Sequence, residues 1–178
     1  GIADATVAGL RSDIKKNLER EVKARLLAKN KQSVMDALVA KAELDLPKAS
    51  VKAELDRMVE GARADLKQRG IKDFDKMPIP EDIFQPQAER RVRLGLVVAE
   101  LVKANSLHAK SEQVSSHIEE LAASYEKPMD VIRWYGSDKN RMAEVEAIVI
   151  ENNVTNFVLS KAKVADKAIS FDDLMAQQ

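Results

Sequence analysis

The sequence predicts an all-α fold of elongated outline, and three observations predict it. Gly and Pro number only 6 and 5 among 178 residues that are rich in the strong helix formers Ala, Glu, Lys, Arg and Leu. β-branched runs with two-residue alternation are nearly missing, and only residues 43–46 and the stretch around 164–169 look extended. Apolar residues instead recur at three- and four-residue steps through most of the chain.

The first helix is the longest. Val7, Leu10, Ile14, Leu18, Val22 and Leu26 are followed by Met35, Leu38 and Val39, with Asp4 as the expected N-cap and no proline before Pro47. A helix over residues 5–41 is roughly 55 Å long, whereas a compact globule of this chain length is only about 40 Å across. Such a helix must project. Pro47 restarts the chain, and Val51, Leu55, Met58, Val59, Ala62 and Leu66 define a second amphipathic helix that stops at Gly70, a favourable residue just beyond a helix end. A loop over 71–80 leads to a third helix over about 81–105, in which Pro86 either produces a kink or marks the first turn. Ser111 or a neighbour opens a fourth helix through Val114, Ile118 and Leu121. Pro128 can start a short fifth helix, because its missing N–H is not needed in a first turn. A long helix then carries Met142, Val145, Ile148, Val149, Phe157, Val158 and Leu159. Ser170-Phe171-Asp172-Asp173 reads as a capping box opening a last turn. The order groups into one unit over 1–178 with two helical hairpins, an arm over about 47–105 and another over about 111–163. No internal repeat of solenoid length is present.

Composition narrows the function. Lys+Arg and Asp+Glu are both 29, so no net field draws the chain to nucleic acid or anionic lipid. The chain has no cysteine, which rules out disulfides and thiolate metal sites and fits a reducing cytoplasm. No apolar run approaches membrane-spanning length and no secretory signal is apparent, so a soluble protein without a membrane partner is expected. The chain opens at Gly1 in what reads as a pre-helix segment, without an initiator Met, which suggests an excised portion.

Catalytic signatures are missing as well. Walker A, Gly-x-Gly-x-x-Gly and His-Glu-x-x-His are all absent. The Glu-x-x-His pairs of a di-iron bundle fail too, since Asn105 and Val114 stand three residues before His108 and His117. Both histidines read as ordinary surface residues. Glu119-Glu120 and Asp172-Asp173 are sequence neighbours that diverge on a helix and suit no shared acid–base work. Arg90, Arg91 and Arg93 read as a solvated or salt-bridged face rather than a nucleic-acid contact. Asn153-Val154-Thr155 is a glycosylation sequon only by coincidence.

What remains is apolar surface on thin hairpins. Ile71, Phe74, Met77, Ile79, Ile83 and Phe84 cluster near the tip of the first. Leu121, Tyr125, Val131, Ile132, Trp134 and Tyr135 cluster in the second, around the only Trp of the chain. Each group is either a small core or a surface for other polypeptides. Aromatic residues often staple small cores, and exposed apolar patches rimmed by charge mark interaction sites. Two readings follow: a module that binds apolar segments of other chains, or a structural assembly domain with the first helix as scaffold or coiled-coil partner. An enzyme comes third, for want of a nucleophile, base and orienting group.

Leu18-Glu19-Arg20-Glu21, Gln87-Ala88-x-Arg90-Arg91-Val92-x-Leu94-Gly95-Leu96, Ile118-Glu119-Glu120-Leu121-Ala122-x-x-Tyr125-Glu126-x-Pro128 and the segment 164–175 together resemble the C-terminal domain of trigger factor, the bacterial ribosome-associated chaperone. The resemblance runs in order along nearly the whole chain. It implies an all-α body with two protruding arms that cradle nascent or unfolded polypeptides without ATP or any other cofactor. It also implies that Leu121, Tyr125, Val131 and Trp134 stand at substrate-touching positions, with Trp134 where a Phe is common. Two departures stand out: Gly70-Ile71 replaces an expected Phe-Gly-Gly at the first arm's tip, and Pro86 replaces a helix former. The family's ribosome-docking signature and FKBP-like prolyl isomerase domain are absent from this sequence. A ribosome contact would therefore run only through a domain outside it, and proline isomerisation is not expected of it. The resemblance also leaves room for a weak homodimer.

Overall fold

A computed structural model describes residues 6–71 and 78–176. Among them are seven helices and no strand: α1 (Val7–Lys41), α2 (Lys48–Gln68), α3 (Glu81–Asn105), α4 (Ser111–Ala122), α5 (Pro128–Gly136), α6 (Lys139–Lys161) and α7 (Phe171–Ala176). The two stretches that look extended in sequence, 43–46 and 164–169, are coil here, because neither has a neighbouring strand to complete a ladder.

Local chemistry explains most of the boundaries. α1 starts one cap later than the sequence suggests: Thr6 is the N-cap, its hydroxyl accepting the Gly9 N–H at 3.0 Å, while Asp4 lies outside the described residues. α2 ends as expected at Gly70, whose φ of +72° is the left-handed region that glycine tolerates best. There the Gly70 N–H donates to the Lys67 carbonyl and the Ile71 N–H to Leu66, closing a Schellman motif. α3 begins after Pro80 and continues through Pro86. Pro86 is thus interior, and the Asp82 carbonyl one turn earlier forgoes its intrahelical partner. Pro128 occupies the first position of α5, and Ser170 caps α7 by accepting the Asp173 N–H at 3.1 Å while donating to the Asp173 carboxylate at 2.6 Å.

Among the described residues, three small cores stand in place of one large one. The central core joins α1, α3 and α6 through Met35, Val102 and Val154, flanked by Leu38, Leu94, Val98 and Ile150. The first hairpin has Val51, Leu55 and Ala88, and the second has Val114, Ile118, Val145 and Val149. Two of the three clustered arginines are salt-bridged, Arg90 to Asp36 of α1 and Arg91 to Glu54 of α2 at 3.1 Å, and Arg93 donates to the Ala42 carbonyl at 2.9 Å. The exposed Arg90–Asp36 pair contributes about 0–1 kcal/mol, so packing carries the hub. Asn153 of the sequon is engaged structurally, its amide donating to the Leu107 carbonyl and the Gln113 side chain, and Thr155 is buried.

The outline is open. Accessible surface is 13587 Å², against roughly 8,600 Å² for a compact monomer of this mass. Among the described helices, α2 packs on α3 alone, and α4 and α5 pack only on each other and on α6. The α2–α3 pair and the α4–α6 group are thus separately packed, and are called the first and second arm below. α1 runs unbroken for 35 residues, about 52 Å. It is buried at Val34 and Met35, while Val7, Leu10, Ile14 and Leu18 toward its N-terminus stand exposed. α7 returns across the chain to pack on α1, burying Leu174, and the Met175 carbonyl accepts from Arg25 at 3.2 Å.

Candidate functional site

The second arm divides its apolar residues by helical face. On α5, Ile132 and Tyr135 are three residues apart and share one face, which packs against the Val114–Ile118–Val145–Val149 core. Val131 and Trp134, also three apart, fall on the neighbouring face. Val131 is half-buried, whereas Trp134 keeps 54% of its surface exposed. Leu121 is exposed at the end of α4, Tyr125 is 61% exposed in the turn before α5, and Met129 is 66% exposed in its first turn. These exposed apolar residues are distributed over α4, a turn and α5. Met129 is among them although no periodic pattern singles it out, and it lies on the opposite flank of α5 from Trp134.

Charged groups hold this surface in place. The Trp134 carbonyl, near the C-terminus of α5, accepts from Ser137 Oγ at 2.9 Å and from Arg141 Nη1. Arg141 also donates from Nε to Asp138 Oδ2 at 3.2 Å, and its guanidinium carbon lies 4.0 Å from the Trp134 ring centroid. Asp138 is the N-cap of α6 and accepts the Asn140 N–H at 2.8 Å. That backbone N–H, with Arg141 adding to it, holds the Asp138 carboxyl below the ordinary carboxylate range. Trp134 and Tyr135 meet edge to face, with centroids 5.0 Å apart. At the opposite end, Arg20 of α1 donates to Ser124 Oγ at 3.2 Å, fixing the turn beside Tyr125 against the long helix.

The first arm presents less. Phe74 and Met77 lie outside the described residues. Ile71 is exposed, Ile79 is half-buried and Ile83 is exposed, while Phe84 packs against the Val51–Leu55–Ala88 core. The structure thus draws Ile132 and Phe84 toward cores and leaves Leu121, Tyr125 and Trp134 open.

A further apolar surface lies on α1. Ile14, Leu18, Val22 and Phe171 line an open groove of about 510 Å³ rimmed by Arg11, Lys15 and Glu19. Sequence periodicity marks the α1 residues as one stripe but not as an uncovered one. The length of α1 relative to a compact body was the available signal. Phe171 joins them only through the long-range return of α7. Among the described residues, no cluster of His, Cys, Asp or Glu could hold a metal ion, and no helix is long and apolar enough to cross a membrane.

Residues 6–160 match the family model described as bacterial trigger factor protein (TF) C-terminus. The chain is 80% identical over 177 residues to a trigger factor of Albidiferax ferrireducens, a match covering 99% of this chain and 41% of the relative. Trigger factors of Polaromonas sp. and Variovorax paradoxus are 78% and 76% identical, over 99% and 100% of this chain. In each case the chain spans 41% of the relative's length.

Proposed function

Because the chain belongs to the bacterial trigger factor C-terminus family, we propose that it is the ATP-independent chaperone module of such a protein, binding exposed apolar segments of nascent or unfolded polypeptides in the cytoplasm. The observation that carries this reading is the exposure of Leu121, Tyr125, Met129 and Trp134 on one arm whose inward residues already fill its core. Exposed apolar surface costs solubility, and a rim of charge, here Glu126, Lys127, Asp130, Arg133 and Arg141, is the arrangement found around interaction sites. The proposed client-binding residues are Leu121, Tyr125, Val131 and Trp134, with Met129 added and Ile132 supporting them from the core side. At the first arm, Ile71, Phe74, Met77 and Ile79 are the proposed secondary contact residues, and Phe84 is held in the Val51–Leu55–Ala88 core. Ribosome docking and proline isomerisation are assigned to parts of the relatives that this chain does not span.

Separate patches on the second arm, the first arm's tip and the α1–α7 groove make binding multivalent. Each patch is weak alone, and a long flexible client bridging two gains effective concentration from its own linker. Light scattering of a denatured client during refolding tests the proposal. A severalfold molar excess of the chain, without nucleotide, should suppress the signal. Unchanged scattering would contradict a chaperone role and favour a purely structural domain.

A further inference from the structure

We propose that Arg141 is the positioning residue of the second-arm patch, clamping the Trp134 indole with one face covered and the other presented to client. The inference rests on the client-binding reading for its purpose, but the clamp itself is a property of the free protein. Arg141 makes three different engagements at once. Its guanidinium carbon lies over the indole, 4.0 Å from the ring centroid, Nη1 donates to the Trp134 carbonyl, and Nε donates to Asp138. The first fixes the ring, the second fixes the helix end carrying it, and the third ties both to the first turn of α6. A Lys could supply the charge but not the fork that reaches two acceptors while its central carbon sits over a ring. The carbonyl it reaches sits at the negative end of the α5 dipole, where a cation is favoured.

The exposure of Trp134 fits a ring that is covered on one side only. A guanidinium over one face and the Tyr135 ring 5.0 Å away still leave 54% of the residue open. The clamp also bears on client chemistry. With one cation already drawing on the ring's electron density, the open face suits aliphatic and aromatic side chains better than Lys or Arg.

Trp134 is the only Trp in the chain, so its fluorescence reports the clamp directly. In the client-free protein, Arg141→Gln should change the emission maximum and the acrylamide quenching constant of Trp134. Arg141→Lys should resemble the Gln variant rather than wild type. Asp138→Asn, which keeps a good N-cap but loses the charged acceptor, should move both readouts in the same direction by less, and it remains informative if Arg141→Gln folds poorly. Affinity for a long unfolded polypeptide should fall roughly two- to fivefold in Arg141→Gln, the scale of one exposed cation–π contact. Emission and quenching identical to wild type in Arg141→Gln would overturn the clamp, as would full retention of the wild-type spectrum by Arg141→Lys. If the spectra change as expected but wild type binds no client, the clamp stands and the chaperone reading fails.

Discussion

The two arms are built from similar apolar content and put it to different use. In the first, α2 and α3 are long, antiparallel and packed along one seam, so Val51, Leu55, Val59 and Ala88 are buried and Phe84 and Val92 close over them. In the second, α4 and α5 are short, with 12 and 9 residues, and lie against α6. A helix of two and a half turns cannot turn every apolar residue toward one neighbour. Ile132 and Tyr135 go inward, and Trp134 and Met129 are left outside. The long hairpin thus covers its central apolar stripe, whereas the short α5 leaves apolar residues uncovered on both flanks of its inward face, Met129 on one and Trp134 on the other.

The largest expected effects test whether the arms are cored as described. Leu55→Ala in the first arm and Ile118→Ala in the second should each cost on the order of 2–5 kcal/mol, the usual loss for emptying a buried aliphatic site. Denaturant titration measures both. Ile118→Ala should also degrade client binding, because the displayed face of α5 depends on the core beneath it, while Leu55→Ala should leave the second-arm patch intact. Equal loss of binding in the two variants would erase the distinction.

Much of this division can be read in the sequence, and some of it cannot. Pro128, Gly70 and Ser170 announce their helix ends because each solves a local backbone problem within four residues. The reading of the Arg90, Arg91 and Arg93 cluster as a solvated or salt-bridged face follows from interleaved charge, and Arg90 and Arg91 are ion-paired while Arg93 reaches a backbone carbonyl. The inward turn of Phe84 and Ile132 depends on which helix lies opposite, and periodicity alone gives a face without saying what covers it. The α1–α7 groove was hidden for a related reason. Its Phe171 meets Ile14 and Leu18 only because the chain returns over more than a hundred intervening residues. Thr6 displaces Asp4 as the cap of α1, since both are good caps and only the backbone decides between them. Arg141 shows no motif at all; its role emerges from the α5–α6 corner.

A middle-sized effect sharpens the contrast at the displayed face. Trp134→Ala should weaken client binding by about 1–3 kcal/mol, as expected for an aromatic anchor, while stability falls by only about 1–2 kcal/mol, the scale of the lost cation–π and edge-to-face contacts. Isothermal titration and thermal unfolding of the same variant separate the two quantities.

Smaller effects come from two glycines of the first arm, which should behave oppositely. Gly70→Ala places a side chain at φ +72° and should destabilise by about 1–2 kcal/mol. Gly61→Ala meets nothing within 4 Å inside α2 and should stabilise by roughly 0.5–1 kcal/mol. Neither should change client binding if the second arm is the principal surface. The exposed Lys52–Asp56 pair, separated by 3.3 Å, should matter least, about 0.3–0.5 kcal/mol and less in high salt.

The most direct measurement is the emission of Trp134 as a long, unfolded, apolar-rich polypeptide is added to the wild-type chain. A saturable shift in wavelength or intensity should appear, and a short peptide with one apolar cluster should need far higher concentrations to produce it. Emission that ignores the polypeptide, while binding is plain by another probe, would remove Trp134 from the client surface and contradict the division between the two arms.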